Sequence, residues 1–149
     1  MVFPDTSFLC SIYREQIHSS KADRFLENWS GSLPVSGLLL FEFRQSVRFQ
    51  MRLFSLDRKK GYSVAEGERM LGDLQNDLNG GVLHMEAVDW PVVHRIAETL
   101  SRTHTRERGH RFADLLHVAT ALHLGARQFL TFDANQKILA ESEGMKVPV

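Results

Sequence analysis

The chain has 149 residues, with 18 basic and 18 acidic side chains, no formal net charge, 43% hydrophobic residues and a single cysteine, Cys10. That length suits one domain of roughly 100–200 residues, and the longest uninterrupted apolar run, residues 38–41, is far below the ~18 residues of a membrane span. Balanced charge argues against broad nonspecific binding to a phosphate backbone, and a lone cysteine excludes an internal disulfide. No basic start followed by an apolar stretch and a cleavage site marks a signal peptide, so we expect a single domain, residues 1–149, in a reducing cytoplasm.

In chain order, Val2-Phe3 reads as a short buried strand. Phe8, Leu9, Ile12, Tyr13 and Ile17 then recur at helical spacing behind the capping pair Thr6-Ser7. A second helix is expected over residues 21–29 and a second strand over residues 33–36. Leu40, Phe43, Val47, Met51 and Phe54 form the core stripe of a third helix. Ser63 and Glu66 have capping-box spacing for a fourth, which Asn79-Gly80-Gly81 stops. Residues 82–85 are a third strand, and Asp89 caps a helix carrying Val92, Val93, Ile96, Ala97 and Leu100. Polar, charged residues 103–109 predict a loop. A helix over residues 111–124, a strand over 128–132, a helix over 136–143 and a last strand over 145–149 complete the chain. Strands alternating with helices imply an α/β fold, with a mostly parallel sheet of about five strands and helices on both faces.

Four acids occupy matching places in this pattern. Asp5 and Asp133 follow strands, and Glu42 and Asp114 fall near helix starts. Strand ends and helix starts meet at the crevice where open parallel sheets place ligands, and four carboxylates gathered there would repel one another unless a divalent cation held them. Each acid also has a plainer explanation. Asp5 could cap the first helix, Asp133 could serve a turn, Asp114 could complement a helix dipole, and Glu42 could be a surface acid. Asp114 favours the first account most, because its helix is apolar nearly all round and a lone buried carboxylate is costly. Octahedral oxygen ligation suits Mg²⁺ or Mn²⁺, with one or two ions for four acids. We expect Asp5 and Asp114 to bind directly. Glu42 and Asp133 would bind through water or orient it, while Thr6, Ser7 and Thr131 hydrogen-bond the carboxylates.

The ordered segments Pro4-Asp5-Thr6-Ser7-Phe8-Leu9, Ser36 through Phe43, Phe112-Ala113-Asp114-Leu115-Leu116-His117-Val118-Ala119 and Phe129-Leu130-Thr131-Phe132-Asp133 resemble the PIN domain family of metal-dependent ribonucleases, in its VapC-type toxin branch, over almost the whole chain. The resemblance implies a three-layer α/β/α sandwich and hydrolysis of RNA phosphodiester bonds, leaving a 5′-phosphate and a 3′-hydroxyl. It also implies a homodimer silenced by a small antitoxin. Asn135 and Gln136 stand where the family often has a further acid, and residues 57–81 match nothing in it closely. Two basic groups could meet RNA phosphates: Arg44, Arg48 and Arg52 along one helix, and Arg108 and Arg111 before Asp114. Either could equally be a solvated surface. No interleaved aromatic platform for single-stranded bases is visible. His117 and His123 read as surface or packing residues, and Cys10 as a small buried group. Three other functions fit less well: an RNA-processing nuclease outside any toxin system, an inactive PIN-like binding module, and a phosphatase or receiver domain, for which no lysine follows a strand.

Overall fold

The computed structural model describes residues 1–149. Its elements run β1 (Val2–Pro4), α1 (Thr6–Tyr13), α2 (Ser19–Glu27), β2 (Leu33–Val35), α3 (Gly37–Leu56), α4 (Val64–Gly80), β3 (Leu83–Met85), α5 (Trp90–Leu100), a π-helical turn (Ser101–Thr105), α6 (Arg106–Arg108), α7 (Phe112–His123), β4 (Gln128–Leu130) and α8 (Ala134–Ser142). All residues of β1 and β2 are buried. Successive side chains of a strand point to opposite faces, so burial without alternation means that both faces are covered. The helices that cover them form two packed groups, α1 to α4 and α5 with α7 and α8. This is the expected α/β layering.

β1 pairs with β4 and β2 with β3, both parallel, and β1 lies beside β2, giving the spatial order β3-β2-β1-β4. No continuous ladder joins the two halves, and the prolines explain why. The Asp5 N–H donates to Leu130 and Met1 accepts from Arg127, so the odd residues of β1 face β4 and Pro4 faces β2. Leu33 donates to Val82 and Val35 accepts from Glu86, so Pro34 faces β1. Each strand thus presents a proline without an N–H on the shared edge.

The expected fifth strand shrinks to a single bridge between Lys146 and Gln128. Lys146 donates to Arg127 and accepts from Phe129, but the next residue facing that edge is Pro148, which has no hydrogen to give. The sheet therefore has four strands. The expected loop at residues 103–109 is also corrected: the α5 backbone continues through the π-helical turn into α6. There Thr103 bonds the Thr99 carbonyl at 2.9 Å, and His104 is tied to Glu143, which follows α8, at 2.8 Å. Gly109 then ends α6 in the left-handed region, φ +67°. The first helix is shorter than expected, since it stops at Tyr13 and Ile17 lies exposed beyond it. No helix is long and apolar enough to cross a membrane.

Candidate metal-binding active site

Local chemistry at three strand ends builds the site. β1 runs into Asp5, whose Oδ1 caps α1 by accepting from the Phe8 N–H at 2.9 Å, so Asp5 rather than Thr6-Ser7 is the cap. β2 runs into Ser36, which caps α3 at Leu39 and so starts the helix carrying Glu42. β4 leads through Thr131 to Asp133, whose Oδ1 caps α8 by accepting from Asn135 and Gln136. Asp114 lies in the first turn of α7. The plainer roles open to Asp5 and Asp133 are thus real, and capping is also what holds both acids at this edge.

The four acids differ in what their oxygens meet. Asp5 is fully buried. Its Oδ1 accepts from Phe8 and from Ser7 Oγ at 2.7 Å, and its Oδ2 from Thr131 Oγ1 at 2.5 Å and Gln136 Nε2 at 2.9 Å. Burial pushes its carboxyl up, and the bonds from Thr131, Ser7 and Phe8 pull against that shift. Glu42 Oε2 accepts from Thr6 Oγ1 and from His117 Nε2, the latter at 2.5 Å, which requires the imidazole proton on Nε2. Burial raises this carboxyl as well. The bonds and charge of His117, with Thr6 and Arg111, outweigh burial and hold it below the usual carboxylate range. Asp114 is buried, and Arg111 forks onto it: Nε to Oδ2 at 3.0 Å and Nη2 to Oδ1 at 3.3 Å. The same Nη2 reaches Asp133 Oδ2 at 3.1 Å.

Glu42, Asp114, Asp133 and Arg111 line one cleft of about 310 Å³, together with Thr6 and Gln136. Asp5 sits beneath it, its oxygens turned to protein donors, and Ser7, Thr131 and Gln136 connect it to the cleft residues. No three His, Cys, Asp or Glu side chains already close around one point, because the Arg111 guanidinium lies between Asp114 and Asp133. The donor set nevertheless fits a hard divalent cation. Glu42 Oε1 accepts no bond within the protein, and both oxygens of Asp114 and one of Asp133 are held by a single arginine whose side chain is 70% exposed. An arginine that moves aside leaves the kind of carboxylate oxygens that Mg²⁺ takes, with water completing its shell.

Arg44 and Arg48 stand elsewhere. Each is offset two residues from the row Glu42, Ser46, Gln50, which is about 200° around the helix, and Arg44 turns to Gln75 of α4 at 3.4 Å. Arg108 is exposed in α6. The sequence offered His117 only as a surface or packing residue, Gln136 only as a neutral substitute for an acid and Arg111 only as a phosphate contact, and their bonds to the acids were not foreseen. His117 is fully buried and bonded to Glu42, Gln136 is bonded to Asp5, and Arg111 bridges two acids. The one available signal was spacing, since Arg111 and His117 lie three residues to either side of Asp114 on one helix face.

A family model described as the PIN domain matches residues 2–142. Curated proteins show no match. Three solved structures superpose along nearly the full chain. VapC20 of Mycobacterium tuberculosis, described as a sarcin-ricin loop cleaving toxin, has a TM-score of 0.67 at 20% identity, covering 100% of this chain and 98% of its own. FitAcB from Neisseria gonorrhoeae has a TM-score of 0.66 at 16% identity, covering 99% and 96%. FitAB bound to an IR36 DNA fragment has a TM-score of 0.64 at 19% identity, covering 99% and 93%. At such identities the likeness is one of fold.

Proposed function

We propose that this chain, which belongs to the PIN domain family, is a divalent-metal-dependent endoribonuclease, the toxin of a toxin–antitoxin pair. The observation that carries the proposal is the cleft itself, which Glu42, Asp114 and Asp133 line above a buried Asp5 at the carboxyl edge of a parallel sheet. Mg²⁺ or Mn²⁺ bound there would neutralise substrate phosphate and supply an activated water. Asp114, Asp133 and Glu42 would hold the ion. Asp5 would fix the start of α1 and, through Thr131 and Gln136, the geometry of Asp133. His117 and Thr6 orient the Glu42 carboxylate, and Arg111, once released, is placed to meet a phosphate. The fold shared with VapC20, itself described as a cleaving toxin, supports the toxin assignment. On the same basis we propose a small antitoxin partner, a homodimer and a cytoplasmic address.

The test is cleavage of RNA by purified protein, with and without EDTA, beside Asp114→Asn and Glu42→Gln. Both substitutions keep the side-chain shape. Chelator-sensitive cleavage lost in both folded variants is expected. Cleavage that persists in both places the activity elsewhere.

A further inference from the structure

A second cavity of about 330 Å³ adjoins the acidic cleft, and Cys10 and Ser46 line both. Helical spacing makes them one groove. Thr6, Cys10 and Arg14 follow α1 to its end four residues apart, and Glu42, Ser46 and Gln50 follow α3 in the same way. Eight helical residues span ~12 Å, so the carboxylates occupy one end and different chemistry the other. At that far end the Arg14 guanidinium lies over the Tyr62 ring, 4.9 Å from its centroid, and makes no ion pair. Tyr62 is held there because Gly61, at φ +62°, lets its connection lie against α3. A Cβ on residue 61 would stand 2.0 Å from the Gln50 carbonyl oxygen. Gln16 and Gln50 also line the cavity, and no carboxylate does.

A guanidinium over an aromatic ring, beside side chains that carry amide donors and acceptors, matches the face and edge of a nucleobase. The volume lies at the lower end of small-ligand sites, ~300–1,000 Å³, which suits a nucleoside and not a helix. Given the ribonuclease reading above, on which this rests, we propose that the second cavity seats the base of the nucleotide adjoining the scissile phosphate. The base stacks on the Arg14–Tyr62 pair, and Gln50 and Gln16 meet its edge. The substrate class is therefore single-stranded RNA cut with a base preference beside the cut. A base inside a duplex cannot present its face to such a platform.

The experiment maps cut sites in a random-sequence single-stranded RNA for wild type, Tyr62→Ala, Arg14→Ala and Tyr62→Phe, and measures kcat and KM on the favoured sequence. Binding of the same RNA without divalent metal is followed in parallel by anisotropy. Loss of one stacked base is expected to raise KM and weaken binding about tenfold in Y62A and R14A and to flatten the preference at one position. Y62F, which keeps the ring, restores both. Unchanged preference and affinity in folded Y62A or R14A overturns the proposal, as does equal cutting of a matched duplex. If Y62A does not fold, R14A alone decides. Should wild type cut no RNA, the ribonuclease reading fails. The subsite then stands if affinity still falls in the variants, and falls if it does not.

Discussion

Truncating Arg111 to alanine tests whether this side chain holds the place of a metal ion. Its guanidinium makes three bonds to two carboxylates, at 3.0, 3.3 and 3.1 Å. The Asp114 side chain is 5% exposed and that of Asp133 28%, but Arg111 itself is 70% exposed, so water screens the arrangement and its net worth is about 1 kcal/mol. An ion that binds Asp114 and Asp133 must first displace this arginine. R111A removes the competitor, so Mg²⁺ should bind about fivefold more tightly, the equivalent of ~1 kcal/mol. The assay is thermal unfolding across a Mg²⁺ titration without RNA. In EDTA, R111A should melt about 3 °C below wild type. As Mg²⁺ rises, the variant should climb from a lower midpoint concentration and close the gap, because a ligand that binds the folded state stabilises it by mass action. Parallel curves, or weaker Mg²⁺ binding by R111A, would refute the competition.

Two further outcomes follow from buried groups. Asp5→Ala strips an N-cap and orphans buried donors, a loss of about 2–4 kcal/mol in denaturant unfolding; a loss below ~0.5 kcal/mol would show that the four bonds to Asp5 do little for the fold. His110 is buried with neither ring nitrogen partnered, and burial, then His104, pushes it below the usual histidine range. Its folded pKa therefore lies below the unfolded value of ~6.5, so its stability contribution is present above that pH and lost as pH falls from it toward the folded value, by at most ~1.4 kcal/mol per pH unit. His110→Phe should flatten that part of the stability profile, and identical slopes in the two proteins would exclude His110 as its source.

The acids were legible because capping and desolvation are local. Asp5 and Asp133 sit where a strand must hand over to a helix, and Asp114 interrupts an apolar helix, so each shows in a short window. Arg111 was visible as a neighbour of Asp114, but its bond to Asp133 joins residues 22 positions apart and needs the fold. The Arg14–Tyr62 stack, built from α1 and the α3–α4 connection, was hidden for the same reason, although sequence showed no aromatic platform. Pro148 could have warned against a full last strand. The break between β1 and β2 could not be foreseen, because a proline matters only on the edge where its missing hydrogen is needed, and register decides that.

The difference between Asp5 and the other acids bears on how the cleft folds at all. Four like charges at one edge would oppose folding before any ion arrives. Asp5 avoids this by giving its oxygens to Phe8, Ser7, Thr131 and Gln136. Glu42 leans on His117 and Thr6, while Asp114 and Asp133 share Arg111. Three of the four Asp5 bonds are buried, whereas the Arg111 bonds are part-buried or exposed and come from a largely exposed side chain, so the first set can persist while the second exchanges. The fold is therefore stabilised by partners of one acid that need never leave, and the chemistry is assigned to acids whose partner can. This is why Asp5→Ala should register in stability and Arg111→Ala in metal affinity.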